Sequence, residues 1–294
     1  MATLKDIRKR VSSVQNTRQI TRAMKMVAAA KLRRAQDAIQ NSRAYAYRIY
    51  GIFLSLASRR GIDHPLLNVR VEKKIRLVVL AGDRGLCGSF NANIFKEALK
   101  FIKLKESEGA EVTIECIGKK AFDFLKKRRE IAKYHEGILA RATYANASEI
   151  ADKITGEYEK GDLDAVYLIY NEFKSAIQQT VIVERLVPVS TVVPQGVVGL
   201  MRLDEEDKLK DYLFEPDKDE ILKAIVPRHF RMQFFRSVLE SVAAEHGARM
   251  SAMENATKNA SEMIDALTLQ YNKARQASIT KELMEIIGGV EAMT

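Results

Sequence analysis

Apolar residues recur along the first sixty positions at alternating steps of four and three. From Ala28 the stripe runs through Leu32, Ala35, Ile39, Ser42, Ala46, Ile49, Phe53 and Leu56. That is heptad spacing, and it predicts a helix that pairs with another in a left-handed coiled coil. Upstream, Leu4, Ile7, Val11 and Val14 are less regular and lead into Thr17, Thr21 and Met24, where the seam turns polar or slips. No proline and only Gly51 fall between Leu4 and Leu56, and Thr3 with Asp6 supplies a helix start signal. A helix of about 53 residues is about 80 Å long, longer than one compact domain can bury.

The far end of the chain mirrors this. Asp217 and Glu220 can cap a short helix that Pro227 is expected to break or kink, and from Arg228 to Ile287 there is no proline and only Gly247. Leu239, Ala243, His246, Met250, Met253, Thr257, Ala260, Ile264, Leu267, Tyr271, Ala274 and Ser278 repeat the steps of four and three, and Gly288 with Gly289 supplies the expected stop. Two terminal helices of matching length and seam most simply form an antiparallel coiled coil with each other. The alternative, that both merely cover a domain core, fits less well with globular helices averaging about 11 to 12 residues.

Between them the pattern changes to short apolar runs alternating with helical spacing. Ile75 to Ala81, Glu111 to Ile117, Asp164 to Tyr170 and Thr180 to Val189 read as strands; NIFKEALKFIKLK, KAFDFLKKR and SEIADKITGEYEK read as helices. This order predicts a parallel or mixed sheet with helices packed on it, Rossmann-like in topology. The fold class is therefore α/β with long helices, and the expected division is 1–60 for the first helix, 61–216 for the α/β domain with its linker, and 217–294 for the last helix. A polar connection from Ser190 to Pro216 leads back to that helix.

Composition narrows the function classes. Residues 1–60 hold fourteen Lys and Arg against Asp6 and Asp37, a net +12, whereas the other 234 residues carry −2 of the chain's +10. Such a segment wants an anionic partner, and charge alone leaves nucleic acid, anionic lipid and an acidic protein surface open. A nucleic-acid reading lacks the interleaved aromatics and short recognition helix of such modules. No run approaches 18 apolar residues, so a cytoplasmic protein without a membrane span is expected. Cys87 and Cys116 form no CxxC, which disfavours a disulfide framework or zinc site. His64, His135, His229 and His246 make no ligand spacing and are expected at the surface or behind other groups.

The stretch GDRGLCG, Gly82 to Gly88, follows an apolar strand and precedes a helix, a place where α/β proteins often hold phosphate. It lacks the GxxxxGK[ST] spacing of a Walker loop and the GxGxxG of a dinucleotide loop. Asp83 and Arg84 could touch an anion and Cys87 could be a nucleophile, but no histidine stands near in sequence. A structural turn is the expectation, and a nucleotide-binding enzyme using Gly82 to Gly88 is the alternative.

IRKRVSSVQNTRQITRAMKMVAAAKLRRAQ (Ile7 to Gln36) and ARMSAMENATKNASEMIDALTLQYNKARQASITKELMEIIGG (Ala248 to Gly289) resemble the opening and closing helices of the gamma subunit of F-type ATP synthases. DRGLCGSFN (Asp83 to Asn91) and DYLFEPD (Asp211 to Asp217) resemble two further signatures of that family, in the same order. The resemblance implies a central rotor shaft in a hexamer of alpha and beta subunits, standing with epsilon on a ring of c subunits. It implies coupling of proton flow to ATP synthesis by rotation, and regulation of ATPase activity and proton flow. It implies no catalysis, cofactor or metal of the chain's own, no nucleic acid, and a peripheral place on the cytoplasmic face of the cell inner membrane, reached only through the complex.

Position by position, the resemblance places Met24 and Lys25 opposite the acidic lever loop of beta, and the turn with Cys87 near the moving parts of beta. It ties Arg249, Gln276, Thr280 and Glu282 to coupling between rotation and catalysis. Taken alone, Met24 fits an ordinary seam position, and the last four fit a solvated helix face.

Overall fold

The computed structural model describes residues 3–57, 64–189 and 218–291. The connection Ser190 to Pro216, the cap at Asp217, the DYLFEPD stretch and the Leu56 side chain lie outside the described residues. In chain order the elements are helix α1 (Leu4–Ala57), strand β1 (Lys74–Leu80), α2 (Phe90–Ser107), β2 (Glu111–Ile117), α3 (Lys119–Leu125), β3 (Ile131–His135), α4 (Tyr144–Glu159), β4 (Ala165–Phe173), β5 (Gln179–Val187) and α5 (Lys218–Glu291). Among the described residues no helix is long and apolar enough to cross a membrane. Contacts divide the chain into two compact units, Met1–Val27 with Met250–Thr294, and Ala28–Arg249.

In the first unit the two helical segments run antiparallel. Lys25 Nζ lies 2.6 Å from Glu254 Oε1, and the hydroxyls of Thr21 and Thr257 lie 2.8 Å apart. Thr3 and Asp6 make the expected reciprocal cap, with Thr3 N donating to Asp6 Oδ2 at 3.1 Å and Asp6 N to Thr3 Oγ1 at 3.3 Å. The seam keeps its steps of four and three by passing through Arg18 rather than Thr17, which is exposed and whose hydroxyl donates back to the Ser13 carbonyl. Arginine serves there because its aliphatic stem covers apolar surface while the guanidinium reaches water. On α5, Met253, Ala260 and Ile264 are buried, and every described side chain beyond Ser278 is exposed. The expected stop at Gly288 and Gly289 is wrong: the helix continues to Glu291, because glycine lowers helical propensity without forbidding the conformation.

The second unit holds a five-stranded sheet of order β3-β2-β1-β4-β5, in which only β5 is antiparallel to its neighbour. β1 pairs with β2 from Lys74 opposite Glu111 to Leu80 opposite Ile117, and with β4 from Ile75 opposite Ala165 to Val79 opposite Ile169. Alternation along β1 sends Ile75, Leu77 and Val79 into a core with Phe90, Ile94, Ala98, Ile102 and Leu125 of α2 and α3. The opposite face is partly ionic: Arg76 donates to Glu115 Oε2 at 3.0 Å and to Glu157 Oε2 at 2.9 Å, and His135 Nε2 lies 2.7 Å from Glu115 Oε1.

Strand β3 is an element that the hydrophobic pattern does not announce. It is an edge strand of five residues, only half-buried, with Lys133 at its centre.

The long helices also pair within this unit. Ala28, Leu32, Ala35, Ile39, Ile49 and Phe53 of α1 are buried, at the expected seam positions. The ring of His229 on α5 stacks on Phe53 at 4.8 Å and on Tyr50 at 5.3 Å. Of the two expected places, the surface or behind other groups, His229 takes the second, and so does His64, whose buried Nδ1 accepts from Leu66 N at 3.1 Å. Pro227 lies inside α5 and does not end it. Its flanks, Leu222, Val226 and Phe230, are buried, and that packing offsets the missing backbone hydrogen bond.

Candidate functional site

The turn after β1 is closed by its own neighbours. Gly82 N donates to Asn91 Oδ1 at 2.9 Å, the Gly82 carbonyl accepts from Lys120 N at 3.1 Å, and Asp83 Oδ1 accepts from Lys119 N at 2.9 Å. Leu86 and Gly88 take the left-handed conformation, at φ 63° and 59°, which lets the chain reverse before α2. Across the turn lies α5. A Cβ on Gly82 would stand 3.0 Å from the Glu245 carboxyl carbon, so glycine here permits a close approach.

Glu245 is held in turn by Arg249, whose Nη2 donates to Glu245 Oε1 at 2.7 Å and to the Gly85 carbonyl at 3.2 Å, while its Nη1 donates to His246 Nδ1 at 3.4 Å. One guanidinium thus ties α5 to the turn. Burial pushes the Glu245 pKa up against the pull of Arg249. Burial, then Arg249 and Lys31, push His246 down to about 4, so its ring is neutral at physiological pH.

Cys87 is buried beneath this turn, its Sγ 3.3 Å from Asn91 Nδ2. Burial raises its pKa. A buried, protonated thiol is a poor nucleophile, and the backbone groups of Gly82 are already occupied; the geometry is that of a structural turn.

Of the residues singled out in the sequence, the structure brings Cys87 and Arg249 together on either side of the turn. Met24 and Lys25 are half-buried in the first unit, where Lys25 pairs with Glu254. Gln276, Thr280 and Glu282 are exposed on one stretch of α5, where Thr280 Oγ1 donates to the Gln276 carbonyl at 3.0 Å and Ser278 Oγ to Glu282 Oε1 at 3.2 Å. From Glu254 to Gln276 is about 33 Å along a helix, so these residues form separate stations. Glu245 escaped the sequence reading, although its spacing of four from Arg249 suits an ion pair. Among the described residues no group of three or more His, Cys, Asp or Glu is placed to hold a metal ion.

The family model described as ATP synthase matches residues 3–293. An ATP synthase gamma chain from Geobacter metallireducens is 48% identical over 294 residues, covering 100% of this chain and 99% of the relative. The chain belongs to the ATP synthase gamma-chain family. Another gamma chain, from an Anaeromyxobacter species, is 48% identical over 298 residues with both chains fully covered.

Solved structures agree on the fold of this family. A chain of the Euglena gracilis mitochondrial ATP synthase in rotational state 3 aligns with TM-score 0.64 and 20% identity, over 99% of this chain and 94% of that one. A chain of the central stalk and c-ring structure of the Tetrahymena thermophila mitochondrial ATP synthase aligns with TM-score 0.60 and 23% identity, over 81% of this chain and 99% of that one. Long terminal helices and a central α/β sheet are thus shared with chains of solved ATP synthases.

Proposed function

We propose that the chain is the central-stalk rotor subunit of an F-type ATP synthase, coupling proton flow through a membrane ring to ATP synthesis by rotation and regulating ATPase activity and proton flow. The observation that carries this reading is the full-length similarity to gamma chains, which leaves no part of the chain unmatched. Its partners are the alpha/beta hexamer, the epsilon subunit and the ring of c subunits. It sits peripherally on the cytoplasmic face of the cell inner membrane, held only through the complex. The chain carries no catalytic group and binds no cofactor for catalysis; the buried Cys87 thiol and the closed turn at Gly82 support this over a nucleotide-dependent enzyme.

A shaft must transmit torque and also turn within its bearing. Continuous seams on α1 and α5 supply stiffness, and the exposed cations of α1 supply contacts that are easily exchanged. Lys25 and Glu254 illustrate the second requirement: their side chains are 38% and 58% exposed, so water reaches the pair. Such a pair contributes at most about 1 kcal/mol. Lys25 can therefore leave Glu254 for a carboxylate of the acidic lever loop of beta at little cost, with Met24 beside it as the apolar contact. Arg249 couples the shaft to the turn around Cys87, while Gln276, Thr280 and Glu282 present a polar face farther along α5.

Reconstitution with alpha and beta subunits, epsilon and the c ring in vesicles tests this reading. ATP should drive proton uptake only when this chain is included. Equal proton uptake without it would contradict the proposal.

A further inference from the structure

A cleft of about 400 Å³ opens in the second unit between α1, the turn after β1, and α5. It lies at the carboxyl end of β1, through Asp83 and Arg84, with Leu139 and Ala142 of the segment after β3 also lining it. Open α/β sheets bind ligands outside the carboxyl ends of their strands. Its lining is mixed. Leu139, Leu239, Val242, Ala35 and Ala38 contribute apolar surface, and Lys31, Arg34, Arg84 and Arg249 contribute four cations.

The charges do not cancel within the protein. Of the two carboxylates in the lining, Glu245 is paired with Arg249 and Asp83 accepts from Lys119 N. Lys31, Arg34 and Arg84 are exposed and have no ion-pair partner among the described residues. Arg249 already holds Glu245, the Gly85 carbonyl and His246, so it fixes the site's shape while the other three cations remain available. The positive field is felt inside the cleft, where Lys31 and Arg249 both help keep His246 neutral.

We propose that this cleft binds a phosphate-bearing small molecule, held by Lys31, Arg34 and Arg84 and bounded by the apolar surface of Leu139, Leu239 and Val242. Two arginines from different elements can each give paired N–H donors to phosphate oxygens, and Lys31 adds a point charge. The apolar surface can also receive the base of a nucleotide. The site differs from the Gly82 to Gly88 turn considered as a cradle, because side chains and not the closed backbone of Gly82 supply the donors. It does not depend on the rotor reading and involves no chemistry.

Calorimetric titration of the full-length chain at low salt with inorganic phosphate, pyrophosphate and ADP tests the site, with phosphorus NMR as a second readout. Inorganic phosphate should bind with Kd on the order of 1 mM or tighter. Arg34→Gln combined with Arg84→Gln should weaken binding at least about tenfold, the loss of charge-assisted contacts. Lys100→Gln, a cation outside the cleft, should leave it unchanged. ADP binding more tightly than pyrophosphate supports a site that also uses the apolar surface, and equal binding supports recognition of phosphate alone. No binding of any of the three, or unchanged binding in the double variant with native circular dichroism, would overturn the proposal. A glutamate-rich peptide that binds and is not displaced by phosphate would overturn it too, by showing that the cations serve an acidic protein segment.

Discussion

The carboxyl group of Glu245 packs against the backbone of Gly82, with no room between them for a methyl group without displacement. Because Arg249 holds that carboxyl from the other side, movement of α5 at this level is felt by the turn that carries Cys87. Gly82→Ala should cost about 1 kcal/mol, since the obstacle is the end of one side chain. Gly118→Ala should cost more than about 3 kcal/mol, because its Cβ would meet the Ala81 carbonyl oxygen at 1.8 Å and its φ is +96°. Urea unfolding of the two variants checks the order.

His229 makes stability depend on pH. Burial, then Arg236, holds its pKa down to about 3, against an ordinary value of 6.5. The unfolded chain binds a proton at this site below about pH 6.5 that the folded chain refuses. Stability from the neutral ring is therefore full above about 6.5 and is lost as pH falls towards about 3. Between pH 7.5 and 5 the loss should be on the order of 2 kcal/mol. His229→Phe should flatten this part of the stability profile, measured by urea unfolding across that range.

The pair of Arg236 and Glu184 should behave as a buried ion pair. Their side chains are 9% and 6% exposed, 2.9 Å apart, and the Tyr170 hydroxyl donates to the same carboxylate at 2.9 Å. Arg236→Ala should cost about 3 to 5 kcal/mol by leaving Glu184 buried and unpaired. Adding Glu184→Leu should restore much of that loss, a double-mutant comparison read from denaturation midpoints.

These sites show how far the sequence reveals the molecule. The seam from Ala28 to Phe53 is legible because burial along a paired helix repeats every three or four residues, and the strand ending in Leu80 because Leu77 to Leu80 is an unbroken apolar run. Strand β3 is not, because a half-buried edge strand with Lys133 in its middle has no sustained alternation. Pro227 misleads because its local cost of about 3 kcal/mol yields to packing, and the glycines at 288 and 289 because a cost of about 1 kcal/mol each lowers helicity without forbidding it. The turn at Gly82 is legible as a turn, since its spacing fails the phosphate templates. The convergence of Lys31, Arg84 and Arg249 on one cleft is not, because only the fold joins residues from three distant segments.

On the proposed rotor reading, Met24→Lys should lower the protons pumped per ATP hydrolysed without lowering stability, because it adds a like charge beside Lys25 where an acidic lever loop of beta would seat and slide. Coupling measured in reconstituted vesicles, with unfolding as control, checks this. An unchanged ratio removes Met24 from the coupling surface.

The most direct measurement follows a bead fixed to this chain in an immobilised complex with alpha and beta subunits. Both native thiols are buried, so the bead is attached through Lys103→Cys, an exposed position on α2. A rotor turns the bead continuously in one direction when ATP is supplied and stops when ATP is removed. A bead that stays fixed while the complex hydrolyses ATP would contradict the account.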